Sequence, residues 1–382
     1  MRVLLISHTC QSKTEGQPKA VELAALPGIT LRVLTPDRWK HYGAWRQPDR
    51  TRDFDLKVGK VLWPWAGPGQ FYMHWYPALG RILREFRPDI IDLWEEPWSM
   101  VSAHTCWLRD RVLPSAKIVS ETEQNIFKNL PPPFEQFRAY TIRRADYVIG
   151  RNVESIEHLQ RKGYAGPSRV VPNAVDAELF QPLSAAQRSE TRAKQGVGNA
   201  FLLGYIGRLV PEKGILDILE ALAQLPPEVH LALVGEGPQR AELEARVREL
   251  GVENRTHFWG VRPLEELPPL MGSLDALVLP SHTTPSWKEQ FGRVLIEAMA
   301  CEVPVIGSDS GAIPEVIGSG DEATGLVFPE GDAAALAQAI LQLRADPEAA
   351  RALGRVGRRS VEARYTWRRV AEAMRDVYQD VL

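Results

Sequence analysis

The stretch that decides the fold is Glu289-Gln290-Phe291-Gly292-Arg293-Val294-Leu295-Ile296-Glu297. A strand-like apolar run, Ala276–Leu279, precedes it, and a loop rich in Ser, Thr and Pro lies between the two. The apolar residues after the Phe-Gly pair predict a helix. This order of strand, loop and helix places Glu289 in a loop at the carboxyl end of a strand, and Glu297 in the second turn of the helix.

The predicted start of this helix is suited to binding an anion. Phe291, Gly292 and Arg293 would supply backbone N–H groups that have no acceptor within the helix, and the aligned peptide dipoles favour negative charge there. We therefore expect a phosphate at this point. Glu297 could accept hydrogen bonds from a ribose, and Glu289 could reach the group that the phosphate carries.

Short apolar runs alternate with helical stretches through both halves of the chain. Such runs indicate parallel strands joined by helical crossovers. The predicted strands lie at residues 3–7, 31–34, 90–94, 117–120 and 147–150, and then at 201–207, 230–235, 255–259, 276–279 and 304–307. The sequence therefore predicts an α/β fold with two Rossmann-like, doubly wound parallel sheets. Such sheets bind ligands beyond the carboxyl ends of their strands, so two facing sheets would form one central cleft.

Size and composition limit the classes of protein that fit. A chain of 382 residues exceeds one ordinary core, so two domains are expected. A net charge of −2 argues against a general nucleic-acid binder. Cys10, Cys106 and Cys301 are too few for a disulfide framework or a zinc site, and neither half carries a Gly-x-Gly-x-x-Gly dinucleotide motif. No apolar run approaches the ~18 residues of a membrane span, so we expect a cytoplasmic protein, with peripheral membrane contact left open.

The motif Glu-x-Phe-Gly-x4-Glu-Ala-Met-Ala, from Glu289 to Ala300, resembles the signature of a large family. It is the GT4 group of retaining glycosyltransferases, which have the GT-B fold and use nucleotide diphosphate sugars. The resemblance extends over the whole chain, strongly from Arg169 onward and more weakly before it. Val171-Pro172-Asn173-Ala174-Val175-Asp176 also resembles the family's Pro-Asn-Gly-Val-Asp motif, with Ala174 in place of the glycine.

The resemblance implies a division of the chain and a reaction. Residues 1–175 would form the acceptor-side domain, 176–198 a linker, 199–362 the nucleotide-sugar-binding domain, and 363–382 a helix that packs back on the first domain. The enzyme would move a sugar from a UDP- or GDP-linked donor to a glycan or lipid-linked glycan with retention. The resemblance implies no metal and no cofactor, since the nucleotide sugar is a co-substrate.

The resemblance also assigns residues on the donor side. Arg208 and Lys213, between a predicted strand and helix, match the family's cations on the diphosphate; alone, such a pair would more often be solvated surface charge. Glu297 matches the ribose ligand, and Glu289 the residue beside the donor sugar. Gly235 and Glu236 would lie near the base edge, although a simple tight turn also explains them. Gly16 is the candidate for closing over the phosphate.

The first half departs from the family pattern. Many relatives have a histidine after the fourth strand, whereas this chain has Glu121 and Glu123 there. Either could orient an acceptor hydroxyl or act as a base, and a structural role fits equally. His8 follows the first strand and is an acceptor-contact candidate. Among the many aromatic residues, Trp63 and Trp65 are candidates for stacking on a sugar, with core packing as the alternative.

Two other functions remain open at this point. A GT-B relative such as a nucleotide-sugar epimerase would change the donor sugar without any acceptor, and a phosphorylase would normally keep a pyridoxal-binding lysine in a much longer chain. A catalytically silent nucleotide-sugar binder or assembly partner would bind the donor without turnover. The combination of Arg208, Lys213, Glu289 and Glu297 favours the transferase.

Overall fold

The computed structural model describes residues 1–41, 44–63 and 69–382. The chain divides into two compact units. The first unit comprises Met1–Pro172 and Trp367–Leu382, and the second unit comprises Asn173–Thr366. Each unit contains one parallel sheet with helical connections, which confirms the predicted α/β class.

The first unit is built on a seven-stranded sheet. Its strands are β1 Arg2–Ile6, β2 Thr30–Pro36, β5 Asp55–Gly59, β6 Ile90–Leu93, β7 Lys117–Thr122, β8 Tyr147–Gly150 and β9 Ser168–Val170, beside an antiparallel pair, β3 Trp39–His41 and β4 Ala44–Arg46. The helices of its first segment, which ends at Pro172, are α1 Gln17–Ala25, α2 Gly69–Met73, α3 Leu79–Phe86, α4 Met100–Val112, α5 Phe134–Ile142 and α6 Val153–Arg161. The strand order is β5-β2-β1-β6-β7-β8-β9, all parallel.

The second unit is built on a six-stranded parallel sheet. Its helices are α7 Ala185–Lys194, α8 Ile215–Ala223, α9 Arg240–Glu249, α10 Leu267–Gly272, α11 Arg293–Ala300, α12 Ile313–Ile317, α13 Ala333–Ala345 and α14 Pro347–Ser360. Its strands are β10 Phe201–Ile206, β11 Val229–Val234, β12 Thr256–Gly260, β13 Ala276–Leu279, β14 Val305–Ser308 and β15 Gly325–Phe328, in the order β12-β11-β10-β13-β14-β15.

Both faces of the second sheet are buried, which explains its continuous apolar runs. Successive strand side chains point to opposite faces. Leu203 of β10 and Val278 of β13 belong to one core cluster, whereas Leu202 and Leu277 belong to another. Strands covered on both sides lack the alternation of a half-exposed strand. Apart from the edge strand β12, the strands that the sequence predicts are therefore the interior ones.

The sequence missed three edge strands, and their burial explains why. In β5 only Gly59 is buried, and β9 has no buried residue; β15 is buried only at its two ends. Edge strands need only one partner and tolerate exposed polar residues, so they leave no apolar run.

The segment predicted as a linker, 176–198, lies in the second unit and includes helix α7. The side chains of Ser184 and Gln187 form a capping box at the start of this helix. Arg188 and Arg192 bind the carboxylate of Asp275 at 2.7 and 2.8 Å. These ion pairs fix α7 at the amino end of β13.

The final helix, α15 Trp367–Val381, belongs to the first unit. It packs on α1 through a buried stripe that includes Met374 and Val377. The hydroxyl of Tyr378, fully buried, donates to Oδ2 of Asp92 at 2.5 Å. None of the helices in the described ranges has the length and apolarity needed to cross a lipid bilayer.

Candidate active site

The strand order of the second unit creates a crevice between β10 and β13. Strand β10 pairs with β11 on one side and with β13 on the other, so the connections from β10 and β13 lead to opposite sides of the sheet. Ligands of doubly wound sheets bind at such a switch point, outside the carboxyl ends of the strands. The loop after β10 carries Arg208 and Lys213, and the loop after β13 carries Glu289.

A direct ion pair joins these two loops. Nζ of Lys213 lies 2.6 Å from Oε2 of Glu289, and Oγ of Ser281 donates to the same oxygen at 2.7 Å. The Glu289 side chain is buried, and the Lys213 ammonium lies 4.8 Å from the ring centroid of Trp287. The structure therefore brings together two residues predicted for this site, 76 positions apart in the chain.

The two loops pack so closely that one position must be glycine. Gly214 has φ +64, and a Cβ there would lie 1.9 Å from the carbonyl oxygen of Pro280. The backbone N–H of His282 donates to the carbonyl of Glu212 at 2.9 Å, and its Nε2 lies 2.5 Å from Oδ2 of Asp217. Sequence reasoning missed Ser281 and His282, because their loop has no periodicity that marks which side chains turn inward, and Asp217, which lies in the first turn of α8.

Arg208 lies at the same edge of the sheet. Its guanidinium is exposed and has no hydrogen-bond or ion-pair partner among the residues that the structure describes. Its carbonyl accepts the hydroxyl of Tyr205 at 2.7 Å. Burial raises the pKa of Tyr205, the charge of Glu289 raises it further, and Arg208 lowers it. Arg208 and Glu289 therefore both lie within electrostatic reach of one hydroxyl.

Helix α11 begins at Gly292, which caps it in the left-handed conformation with φ +81. The backbone N–H groups of Gly292, Arg293 and Val294 have no hydrogen-bond acceptor within the described ranges. Phe291 is buried, with its ring 5.8 Å from that of Tyr365. Its role in this structure is to anchor the start of the helix, while the neighbouring amides supply the positive end of the helix dipole.

Glu297 lies one turn into α11, as the sequence predicted. Burial raises the pKa of its carboxyl, and the guanidinium of Arg293, four residues earlier, partly offsets this. Arg293 itself is exposed. A half-buried carboxylate of this kind can accept two hydroxyl hydrogens at once.

Gly235 and Glu236 are engaged in the packing of the loop after β11. The amide of Gly235 donates to the carbonyl of Gly260 at 2.9 Å. A Cβ on Gly235 would lie 1.9 Å from the carbonyl oxygen of Gly207, at a φ of +134. The Glu236 carboxylate pairs with Arg240 at 3.1 Å. The glycine thus allows two loops to approach, and its amide is already bonded.

Gly16, in the first unit, also allows a close approach of two backbone segments. Its amide donates to the carbonyl of Ser12 at 3.3 Å. A Cβ there would lie 2.4 Å from the carbonyl carbon of Thr9. The residue lets the loop after β1 pack against the start of α1, and its amide, like that of Gly235, is bonded within the protein.

The two carboxylates after β7 have different surroundings. Glu121 is buried and forms ion pairs with Lys19 and Arg151, both also buried. Burial opposes its ionisation, but these two cations lower the pKa of Glu121 to about 2. Glu123 has a side chain 39% exposed, with Oε1 3.4 Å from Arg151. Of the pair, Glu123 is the one that a ligand can reach.

His8 forms a pair that the sequence did not reveal. Its backbone N–H donates to Oε1 of Glu95 at 2.6 Å, and its Nδ1 lies 2.8 Å from Oε2. Trp63 is 41% exposed, and its ring lies 6.3 Å from that of Trp75. Trp65 lies outside the described residues. No cluster of three or more His, Cys, Asp and Glu side chains suited to a metal occurs in the described ranges.

The chain is similar to two family models and to several known proteins. Residues 187–360 match the model for glycosyl transferases group 1, and residues 20–179 match the model for glycosyltransferase family 4. The chain is 32% identical over 394 residues to a D-inositol 3-phosphate glycosyltransferase of Saccharomonospora viridis, covering 97% of this chain and 84% of that protein.

A second relative is matched over a smaller part. This is a GDP-mannose-dependent monoacylated alpha-(1-6)-phosphatidylinositol monomannoside mannosyltransferase of Corynebacterium glutamicum, 30% identical over 246 residues. The match covers 63% of this chain and 60% of that protein's length. Among solved structures, Anabaena Alr3699/HepE in complex with UDP has a TM-score of 0.75 at 22% identity, with 100% of both chains covered.

Proposed function

This chain belongs to glycosyltransferase family 4 and has the GT-B fold, and from that premise we propose that it transfers a sugar from a UDP- or GDP-linked donor to a hydroxyl of a glycan or lipid-linked glycan, with retention at the anomeric carbon. The observation that carries the proposal is the Lys213–Glu289 pair at the switch point of the second sheet. UDP in the Anabaena structure and the GDP-mannose dependence of the Corynebacterium relative support these donor classes.

The donor diphosphate would be held by cations and amides of the second unit. Arg208 offers a guanidinium that has no partner among the described residues, and Lys213 an ammonium at the same edge. The free amides at the start of α11 add hydrogen bonds to the phosphate oxygens. Negative charge grows on the diphosphate as the anomeric bond breaks, so these groups stabilise the transition state more than the ground state. One such donor contributes about 2.7–4 kcal/mol.

The two carboxylates would position the donor on either side of the diphosphate. Glu289 would accept a hydroxyl hydrogen of the sugar and stabilise positive charge at the anomeric carbon. Its position is fixed by Lys213 and by Ser281. Glu297 would accept the ribose hydroxyls, since its carboxyl lies half-buried on the first turns of α11.

A panel of nucleotide sugars tests the donor assignment. Thermal shift finds the donor, because a ligand at about one hundred times its Kd adds ~2.7 kcal/mol of stability. Transfer is then measured with glycan acceptors, and the anomeric configuration of the product is read by NMR. Inversion would refute the retaining assignment. Conversion of the donor without acceptor would indicate an epimerase, and tight binding without turnover would indicate a silent binder.

We also propose that catalysis needs no metal, because Arg208 and Lys213 supply the positive charge that a metal would provide. Activity should survive EDTA in a buffer free of divalent cations. Loss of turnover that added Mg²⁺ or Mn²⁺ restores would refute this. The matched variant is Arg208→Lys, which keeps the charge and loses the planar, bidentate geometry that suits a phosphate.

The protein would work in the cytoplasm and touch the inner membrane face through its first unit. Trp45 on β4 is 52% exposed, with the Arg38 guanidinium 5.6 Å from its ring centroid. Exposed tryptophan beside a cation suits an anionic lipid surface. Sedimentation with vesicles containing phosphatidylglycerol should exceed that with pure phosphatidylcholine, and Trp45→Ala should reduce it. Equal sedimentation with both vesicles would refute this contact.

A further inference from the structure

The first unit has its own switch point, and an ion pair spans it as well. Strand β1 lies between β2 and β6, so the loops after β1 and β6 meet at the carboxyl edge of the sheet. His8 follows β1 and Glu95 follows β6, and both the amide and Nδ1 of His8 bind the Glu95 carboxylate. The first unit therefore also has paired side chains at the position where doubly wound sheets bind ligands.

A cavity of about 450 Å³ opens beside this pair. Its volume lies in the range of small-molecule sites, roughly 300–1,000 Å³. The side chains that give it its character are two aromatic rings, a histidine, an arginine and two acids: Trp39, Phe71, His8, Arg46, Glu15 and Asp49. All of them belong to the first unit. We call it the His8 cavity.

Two aromatic rings line the His8 cavity, one of them buried and the other partly exposed. Trp39 is buried and stacks on the His8 ring with centroids 4.6 Å apart and planes inclined by 25°. Phe71 meets both rings edge-on, at 5.3 and 5.5 Å, and is 40% exposed. Phe71 therefore offers an accessible apolar surface, of the kind on which the C–H face of a ring can pack.

The His8 ring is held at Nδ1 by the Glu95 carboxylate, which accepts its hydrogen. Burial lowers its pKa, but the charge and hydrogen bonds of Glu95 outweigh this, and Glu123 and Glu15 add to the rise. The pKa of Glu95 falls to about 2, because the charges of His8 and His74 overcome its burial. Nε2 of His8 has no hydrogen-bond partner within the part of the chain described. A ligand hydroxyl can bond to Nε2 in either protonation state of the ring, since a hydroxyl both donates and accepts.

The charges around the His8 cavity do not favour an anion. Arg46 faces the two acids Glu15 and Asp49, and the Glu95 carboxylate is bonded to His8. Oδ2 of Asp49 already accepts the backbone N–H of Lys13 at 2.9 Å. Donors and acceptors therefore alternate around an apolar surface. Hydroxyl groups both donate and accept, so this lining suits a neutral ring with several hydroxyls.

We propose that the His8 cavity binds a neutral polyhydroxylated ring, a hexopyranose or a cyclitol, with one face on Phe71 and a hydroxyl hydrogen-bonded to Nε2 of His8. That this ring is the acceptor of the reaction rests on the proposed function; the binding itself does not. His8 is then a specificity residue, because a ring nitrogen whose position Glu95 fixes selects the hydroxyl that lies over it.

The test is a titration of the full chain without any nucleotide sugar. Methyl α-D-glucopyranoside and myo-inositol are compared with glucose 6-phosphate and inositol 1-phosphate, by saturation-transfer NMR and calorimetry. We expect at least one neutral ring to bind, its phosphorylated form to bind no tighter, and Phe71→Ala to weaken binding at least tenfold. The two neutral ligands distinguish a hexose from a cyclitol.

The matched control is Trp107→Ala, since Trp107 is 43% exposed on α4 and lies outside the lining of the His8 cavity. His8→Ala would remove the nearer partner of the buried Glu95 and leave only His74, at 3.7 Å. Phe71→Ala therefore carries the test, and its fold is checked by near-UV circular dichroism. Phosphorylated rings that bind tenfold tighter, no binding of either neutral ring, or binding that ignores Phe71→Ala would each overturn the proposal.

The two proposals fail separately. Sugar transfer whose acceptor KM is unchanged in Phe71→Ala would keep the proposed function and reject this acceptor site. Ring binding that depends on Phe71, in a protein without transfer under any donor, would keep the His8 cavity as a binding site and reject the transferase.

Discussion

Replacing Lys213 by Met separates the structural from the catalytic role of the Lys213–Glu289 pair. Across 2.6 Å the attraction between the two charges is about 6 kcal/mol at an effective dielectric constant near 20, before desolvation is counted. Removing one partner of a buried pair costs ~3–5 kcal/mol. The Lys213 side chain is 16% exposed and Ser281 still donates to Glu289, so we expect the lower end, about 3 kcal/mol.

The double variant Lys213→Met with Glu289→Gln should regain most of that stability. The neutral amide oxygen of the glutamine still accepts from Ser281, and no charge is left buried, so the free energy of unfolding should return to within about 1 kcal/mol of the wild type. Catalysis should not return, because the ammonium that stabilises the departing diphosphate is still absent. We expect kcat to fall by about 10²–10³ in both variants.

Urea unfolding and steady-state transfer measure the two effects on the same samples. Lys117→Met is the control: Lys117 forms a partly exposed pair with Asp146 at 3.4 Å. Such a pair contributes at most about 1 kcal/mol, and its loss should leave kcat unchanged. A double variant that recovers both stability and kcat would show that the pair only maintains the fold and would refute the catalytic reasoning.

Three further changes test other parts of the structure. Glu297→Gln should weaken UDP or GDP binding about tenfold to a hundredfold in calorimetry, as loss of ~1.5–3 kcal/mol from a charged hydrogen bond implies. Because burial raises the pKa of Glu297, wild-type affinity should fall with decreasing pH where the glutamine variant stays constant; equal profiles would contradict the ribose assignment. The pKa of His8 is raised, so its stabilising effect is complete below about pH 6.5 and is lost as pH rises through the folded value. The Glu95 contribution is present above its ordinary pKa of 4.5 and is lost as pH falls towards about 2. Glu95→Gln should therefore be least stable relative to wild type between about pH 4.5 and pH 6.5, where both contributions are complete. Urea unfolding at a series of pH values measures this, and a pH-independent difference would count against the pair. Gly16→Ala should lower the free energy of unfolding by about 2–3 kcal/mol, because the new Cβ clashes with backbone. Gly28→Ala, with φ +82 in open space, should lower it by about 1–2 kcal/mol. Thermal denaturation measures both losses, and equal losses would contradict the close packing around Gly16.

The sequence could predict the donor-side geometry because local order determines it. A strand followed by a loop and a helix places the loop at the carboxyl edge of the sheet, whatever the rest of the chain does. Arg208, Lys213 and Glu289 each follow a strand in this way, and β10 and β13 are neighbours. Their meeting needs two strand assignments, the rule that parallel strands end at one edge, and the strand order that places β10 beside β13.

The first unit was less predictable, because it departs from the family pattern and no motif marks its paired side chains. His8 and Glu95 are separated by 87 positions, and only the strand order brings β1 beside β6. Glu121 looked like a candidate for an acceptor contact, but Lys19, 102 positions away, neutralises it in the core. Both contacts are tertiary, and no local pattern encodes them.

The aromatic residues illustrate the same limit. Their density in the first half indicated a ring-binding surface, but density does not tell which ring packs inward. Trp39 is buried behind the His8 cavity and Phe71 is open to it, whereas Trp63 packs with Trp75. The rings that line the cavity are fixed by the β3–β4 pair and by α2, short elements without a strong apolar run.

The first unit is discontinuous in the chain, and this has a consequence for biosynthesis. Helix α15 supplies Tyr378 and Met374 to its core, yet Trp367–Val381 is translated only after all of the second unit. The second unit is one continuous segment and can fold as soon as it leaves the ribosome. The domain made first is therefore the one completed last, and until then the surface that receives α15 is exposed to chaperones and proteases.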